Sequence, residues 1–214
     1  MEMGINFLLV TVILLNFLSL GLSQIASVIR IAAFQGVLLG LMPLLIEESQ
    51  GSHIPLLCLA TILIKGGLIP LFLFRALRDV QIRREVQPLL GPIPSLFLGA
   101  LGTILGLVFA QNLPAPAQAI PALILPTSFS TVLTGFVMLI TRHKALTQVV
   151  GFLVLENGIY VFGLTLLSTM PSLVELGVLL DLLVCIFVFG IILNHIRQAF
   201  SSLDSNKLTA LREE

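Results

Sequence analysis

Residues 151–167 read GFLVLENGIYVFGLTLL, and residues 171–196 read PSLVELGVLLDLLVCIFVFGIILNHI, with a tight turn at STMPS (168–172) between them. They belong to apolar stretches over roughly 146–167 and 172–194, each long enough to cross about 30 Å of hydrocarbon as a helix rising about 1.5 Å per residue. Each also carries a carboxyl near its middle, Glu156 in the first and Asp181 in the second. Working outward, seven such runs fit the chain, over roughly 5–22, 25–46, 54–74, 94–112, 120–140, 146–167 and 172–194. No long alternating strand pattern interrupts them, and backbone groups in lipid must bond within their own segment, so the runs are expected to be helices. The fold class is therefore all-α: a polytopic membrane protein of about seven transmembrane helices. The fifth run is the most irregular, because Pro121 and Pro126 fall in its first half.

Composition points the same way. Of 214 residues, 57% are hydrophobic and 10% charged, with a mean hydropathy of +1.10. Soluble domains carry about 25% charged residues, so this chain has too few to keep a surface wet. A net charge of zero leaves no global basic surface for nucleic acid. Cys58 and Cys185 both lie inside apolar runs, form no CxxC pair and read as small packing residues. The opening stretch MEMGINFLLVTVILLNFLSLGLS (1–23) has Glu2 as its only charge, so it reads as a retained helix and not as a cleaved signal.

The cations sort to one side. Arg30, Arg75, Arg78, Arg83, Arg84, Arg142, Lys144, Arg197, Lys207 and Arg212 all fall on the same face if seven spans alternate. The opposite loops, EESQGSH (47–53), QNLPAPAQ (111–118) and STMPS, contain no Lys or Arg. The positive-inside rule then places the N-terminus outside and the C-terminus in the cytoplasm. The longest cytoplasmic loop, about 75–92, can form a short interfacial helix ended by Pro88, and its arginines suit anionic headgroups or a partner subunit and also suffice as topology determinants alone.

Two three-helix units bracket the fourth span. Residues 1–78 form the first, 79–117 the cytoplasmic loop and fourth helix, 118–197 the second unit, and 198–214 a cytoplasmic tail. Each unit has a polar residue midway along its middle helix, Gln35 or Glu156, and an ionisable one midway along its last, Lys65 or Asp181. This is the pattern of a parallel repeat. Any two apolar hairpins also look alike, so coincidence stays open.

Lys65, Glu156 and Asp181 lie close to the bilayer midplane, where a charge costs about 2.5–3.5 kcal/mol on insertion scales. Such residues face a bundle interior or a partner. Two readings follow: a proton relay, or a buried polar contact that fixes helix packing. The relay has a physical basis. A carboxyl in low dielectric holds its proton more tightly, and a neighbouring ammonium loosens it. Carboxyl and amine groups linked by water therefore pass a proton when a nearby charge moves. The proton-transfer candidates are Glu156, Asp181, Lys65 and Gln35, the last bridging by hydrogen bonds as Asn157 also can. Glu175 reads as an exit group or an interfacial charge. His53, His143 and His195 sit at span ends and read as snorkelling residues. No catalytic, cofactor-binding or metal-ligand motif is found: there is no Walker loop, GxGxxG after a strand, GxSxG or HExxH. Gly66 and Gly67 and the run LGALGTILG (98–106) suit close helix packing.

The stretches GFLVLENGIYVFGLTLL and PSLVELGVLLDLLVCIFVFGIILNHI, with the tail SSLDSNKLTALRE (201–213), resemble the hydrogenase-4 component E family. The likeness covers nearly the whole chain and is most specific in LENG (155–158), the mid-helix Asp181 and LDSNKLTAL (203–211). The C-terminal third is similar, more distantly, to the three-helix K subunit of respiratory complex I and to its counterpart in multi-subunit cation/proton antiporters.

The resemblance implies a non-catalytic membrane subunit of a membrane-bound nickel–iron hydrogenase or formate hydrogenlyase. It also implies proton translocation along intramembrane acids and a multi-pass place in a bacterial or archaeal cytoplasmic (inner) membrane. The partners implied are antiporter-like membrane subunits and soluble hydrogenase subunits. The nickel–iron centre and iron–sulfur clusters belong to those partners, with no cofactor in this chain. Glu156 matches the first K-subunit acid, and Asp181 matches the second in depth but is one carbon shorter. Gln35 and Lys65 supply no carboxyl at the corresponding N-terminal positions. Two rival readings remain: a scaffold of the membrane arm or of an antiporter without its own ion path, and a free-standing secondary transporter.

Overall fold

The structure, a computed structural model, describes residues 2–46, 54–80, 90–112, 121–142 and 144–165, together with positions 183, 186 and 190. These residues are helical almost throughout. Helices α1 (Glu2–Gly21) and α2 (Ile25–Ile46) form the first hairpin. The third rod is composite, running through α3 (Ile54–Ile62), a π-helical segment (Leu63–Leu68) and α4 (Ile69–Val80). Helices α5 (Pro92–Asn112), α6 (Ile124–Thr141) and α7 (Ala145–Leu164) follow. Among the described residues, six helices are long and apolar enough to cross a membrane. The expected seventh span, with Glu175, Asp181 and Cys185, lies outside the described residues apart from the helical, exposed positions 183, 186 and 190. So do His53, His143, His195, Arg83, Arg84 and the tail.

Two expectations are corrected. The fifth span starts at Ile124 and not near 120, which puts Pro126 inside the first turn. There its missing N–H is one the helix leaves unbonded in any case, so the proline begins the helix instead of breaking it. The third span runs on past 74 to Val80, so Arg75 and Arg78 stand on the spanning rod itself and not on a separate interfacial helix. Their aliphatic stems let the rod continue while the guanidinium heads reach water.

The π segment has an identifiable cause. Pro70 has no N–H, and its ring would strike the carbonyl of Gly66 four residues back in a regular α-helix. A wider turn moves that carbonyl aside, and Ile69 donates its N–H to Ile64 O, five residues back.

The helices pack as α1 on α2, α5 and α6, with α6 on α7 and α7 on α2. Glycines set the closest approach. A Cβ on Gly135 would lie 2.6 Å from Leu155 Cα, and one on Gly158 would lie 2.6 Å from Val132 N, so the α6 and α7 backbones touch. Gly99 faces Phe17 and Leu20, Gly102 faces Leu133 and Gly106 faces Phe129, seating α5 on α1 and α6. Within its 18-residue window α7 is 72% buried, against 22% for α5, so α7 is the central helix and α5 a peripheral one among the described residues.

Two apolar clusters divide the bundle by depth. One gathers Leu20, Ile25, Val28, Ile29, Leu73, Ala76, Met138 and Leu146; the other gathers Ile5, Leu9, Leu39, Met42, Ile124 and Leu164. Successive helices meet these clusters in opposite order, as an up-and-down bundle requires. Arg142, buried between α6 and α7, donates from Nη2 to Leu20 O and Leu22 O at 3.3 Å each. A cation thereby satisfies the last carbonyls of α1 and ties the α6–α7 corner to the α1–α2 corner.

Candidate functional site

Between the two apolar clusters lies a polar layer, and five segments contribute to it. On α1 Asn16 falls between Val12 and Leu20; on α2 Gln35 falls between Ala32 and Leu39. Thr131 of α6 and the Glu156 and Asn157 pair of α7 hold the same intermediate position, and Lys65 enters from the π segment. All six are buried, with relative exposures of 0–5%. Polar groups at this depth have no water to bond, so each must find a partner in the protein.

The layer has two arms. In the first, Lys65 Nζ lies 3.3 Å from Glu156 Oε1 and donates to Asn157 Oδ1 at 2.9 Å. It also stands 5.2 Å from the centre of the Tyr160 ring, a cation–π contact. Positions 156, 157 and 160 share one face of α7, so a single helix surrounds the ammonium with a carboxylate, an amide and an aromatic ring. Room for the lysine stem comes from Gly36, where a Cβ would sit 2.7 Å from Lys65 Cβ. The π turn places Lys65 between α2 and α7. Beside it is a narrow cavity of ≈ 10 Å³ lined by Ala32, Ala33, Ile69, Leu153, Lys65 and Asn157, space on the scale of one water.

In the second arm, Gln35 Nε2 donates to Asn16 Oδ1 at 3.1 Å, and Asn16 Nδ2 donates to Thr131 Oγ1 at 2.9 Å. Thr131 Oγ1 then donates to Thr127 O at 2.7 Å, one turn back on α6. This chain crosses α2, α1 and α6 and ends on a backbone carbonyl. Further hydroxyl contacts run along α6: Ser128 Oγ donates to Gly158 O at 2.9 Å, and Ser130 and Thr103 share a hydrogen bond of 2.8 Å.

The structure thus brings together Lys65 and Glu156, two of the four residues singled out from sequence, and adds Asn157 as a direct partner. Gln35 bonds into the other arm. Asp181 lies outside the described residues. Sequence reasoning passed over Asn16, Thr131 and Tyr160. Asn16 satisfied the same criterion as Gln35, a polar residue in mid-span, and was hidden in an otherwise apolar first helix. Thr131 belongs to TSFSTVLT (127–134), whose hydroxyl density was the available signal. Tyr160 is the chain's one tyrosine, one turn beyond Glu156.

Chemically, the first arm offers an ionisable acid and base in contact, enclosed between apolar layers. Two opposite charges at this separation offset much of each other's desolvation. The second arm has only amides and hydroxyls and is suited to clamping helices.

No family model and no solved structure matches the chain. Hydrogenase-4 component E of Escherichia coli K12, like that of Shigella flexneri, is 29% identical over 147 residues, 68% of this chain and 67% of the relative. The uncharacterised protein Rv0085 of Mycobacterium tuberculosis is 30% identical over 193 residues, 89% of this chain and 87% of its own length. On that extent of shared sequence, the chain, a bundle of membrane-length helices, belongs to one family with Rv0085 and is similar to hydrogenase-4 component E.

Proposed function

We propose that the protein is a membrane-arm subunit of a hydrogenase-like, complex-I-related assembly in which the Lys65–Glu156 pair belongs to a proton-transfer path. The observation that carries this reading is the pair itself: a 3.3 Å contact between an ammonium and a carboxylate, each at most 5% exposed, in a layer between two apolar clusters. The likeness to hydrogenase-4 component E supports the choice of assembly. A contacting acid and base in low dielectric are coupled, so a charge arriving next to them moves the ammonium and a proton together. Asp181 is proposed as the next acid along the path, and Gln35 as a residue that steadies the layer from the second arm. The nickel–iron and iron–sulfur chemistry is proposed to reside in soluble partners. Proton translocation and a formate hydrogenlyase setting are part of the same proposal, as is an N-terminus outside a bacterial or archaeal inner membrane.

The test is Glu156→Gln in the intact complex. The amide keeps the shape and a hydrogen bond but cannot ionise. Proton translocation coupled to turnover is expected to fall by about tenfold or more, the scale on which positioned proton-transfer groups act, with subunit composition unchanged. Full translocation in a normally assembled complex sinks the relay.

A second reading is a scaffold without its own ion path. It is favoured by the way Lys65 cross-links the third rod to α7, through Glu156 and Asn157 together. On that reading Glu156→Gln lowers the melting temperature of the complex and leaves coupling intact.

A further inference from the structure

Helix α4 closes the third rod with two kinds of residue on one stripe. Leu71, Phe74, Arg75 and Arg78 recur at i, i+3, i+4 and i+7, the spacing of a single helix face, and they line an open groove of ≈ 700 Å³. The order along the stripe is directional. Leu71, 60% exposed, lies deeper in the span, and the exposed Arg75 and Arg78 lie at its end. Arg30, exposed near the start of α2, places its guanidinium carbon 5.9 Å from the centre of the Phe74 ring. A third cation from a neighbouring helix therefore stands at the same rim. Asp79 follows Arg75 at i+4 in the sequence.

An apolar groove on a membrane helix is filled by any acyl chain. Two guanidinium groups one turn apart at its mouth ask for more. Guanidinium forks match phosphate oxygens two at a time, and basic pockets between membrane helices accept anionic headgroups. The groove's volume lies within the range of small-molecule sites. One molecule satisfies both halves of the stripe at once: hydrocarbon along Leu71 and Phe74, and a phosphodiester at Arg75 and Arg78. We infer that the groove of Leu71, Phe74, Arg75 and Arg78 holds an anionic phospholipid, its phosphate clamped between the two arginines and its acyl chains laid along the apolar residues. Arg30 adds positive charge at the rim. The lipid then serves as a wedge where the third rod meets the bilayer surface, independent of the proton path.

The experiment uses the full chain in nanodiscs made of equal parts dioleoyl phosphatidylcholine and dioleoyl phosphatidylglycerol. The lipids that remain bound after release are counted by native mass spectrometry. Phosphatidylglycerol is expected to be retained over phosphatidylcholine by about tenfold or more, the scale of two arginines near a headgroup. R75Q/R78Q is expected to bring that ratio to near one. R75K/R78K is expected to fall between, since an ammonium keeps the charge and loses the fork. Millimolar inorganic phosphate is expected to leave the retained lipid in place. Three results overturn the proposal: no preference in the unaltered chain; full preference in R75Q/R78Q, which leaves the two arginines to a protein partner; or displacement by inorganic phosphate, which marks a free-anion site. If the glutamine pair does not fold, the lipid comparison in the unaltered chain and the lysine pair still decide.

Discussion

Lys65 and Glu156 each occupy a position that hydrocarbon alone does not tolerate, and the 3.3 Å contact between them offsets part of that cost. This has a measurable consequence that separates pairing from mere polarity. Lys65→Met leaves Glu156 buried without the Lys65 ammonium, and Glu156→Leu removes the Glu156 carboxylate while Asn157 and Tyr160 stay beside Lys65. Each single change is expected to destabilise by about 3–5 kcal/mol. The double change Lys65→Met/Glu156→Leu removes both charges together and is expected to recover most of that loss. Thermal unfolding of the four proteins in one detergent gives the coupling. Additive losses would show that the two side chains are held independently. Asn157 completes the arrangement, because its Oδ1 accepts from Lys65 at 2.9 Å and keeps the ammonium at the level of the layer.

At the scale of elements, the π segment and the glycine seams decide where those side chains point. Pro70 is the reason for the wide turn, so Pro70→Ala is expected to let residues 63–68 relax toward α geometry. One residue of register is about 100° of rotation in a helix of about 3.6 residues per turn, enough to carry Lys65 off α7. The 65–156 coupling energy, measured in a Pro70→Ala background, should then collapse toward zero; an unchanged coupling would mean that the turn owes nothing to the proline. The α6–α7 seam makes a separate prediction. A methyl at Gly135 meets Leu155 backbone at 2.6 Å, whereas one at Gly163 meets nothing within 4 Å. Gly135→Ala is expected to cost about 1–3 kcal/mol through forced separation of the helices. Gly163→Ala is expected to be neutral or stabilising by up to about 1 kcal/mol, since alanine favours a helix. Melting temperatures that move equally for the two would remove the seam from the account.

Across the whole molecule, the described basic residues other than Lys65 gather at one end. Arg30 and Lys144 stand near helix starts, Arg75 and Arg78 near a helix end, and Arg142 at the α6–α7 corner, all beside the cluster of Leu20, Ile25, Ala76 and Leu146. The proposed topology puts that end in the cytoplasm. In a background lacking Cys58 and Cys185, Asn112→Cys is expected to react with a membrane-impermeant maleimide added to intact spheroplasts. Leu90→Cys is expected to react only after the membrane is opened. The reverse pattern would invert the topology and place the lipid groove in the outer leaflet.

The sequence by itself determined the solvent and the secondary structure. Runs of about twenty apolar residues can satisfy their backbones in lipid only as helices, and that requirement is local, so it is legible in Ile25–Leu45 or Pro92–Asn112 without any neighbour. It also singled out Lys65, Glu156 and Gln35, because a polar residue in mid-span has no solvent to explain it. What the tertiary structure alone decided is which of them meet. Lys65 and Glu156 are 91 positions apart in sequence and belong to different expected units, and their contact depends on Gly36 making room and on the π turn aiming the lysine. Gln35 went to Asn16 instead, because α1 packs against α2 and offers it an acceptor at the same depth, and Asn16 in turn donates to Thr131 of α6. Pairing in a membrane bundle is a property of depth and helix neighbours, and neither is carried by the one-dimensional pattern of any single span.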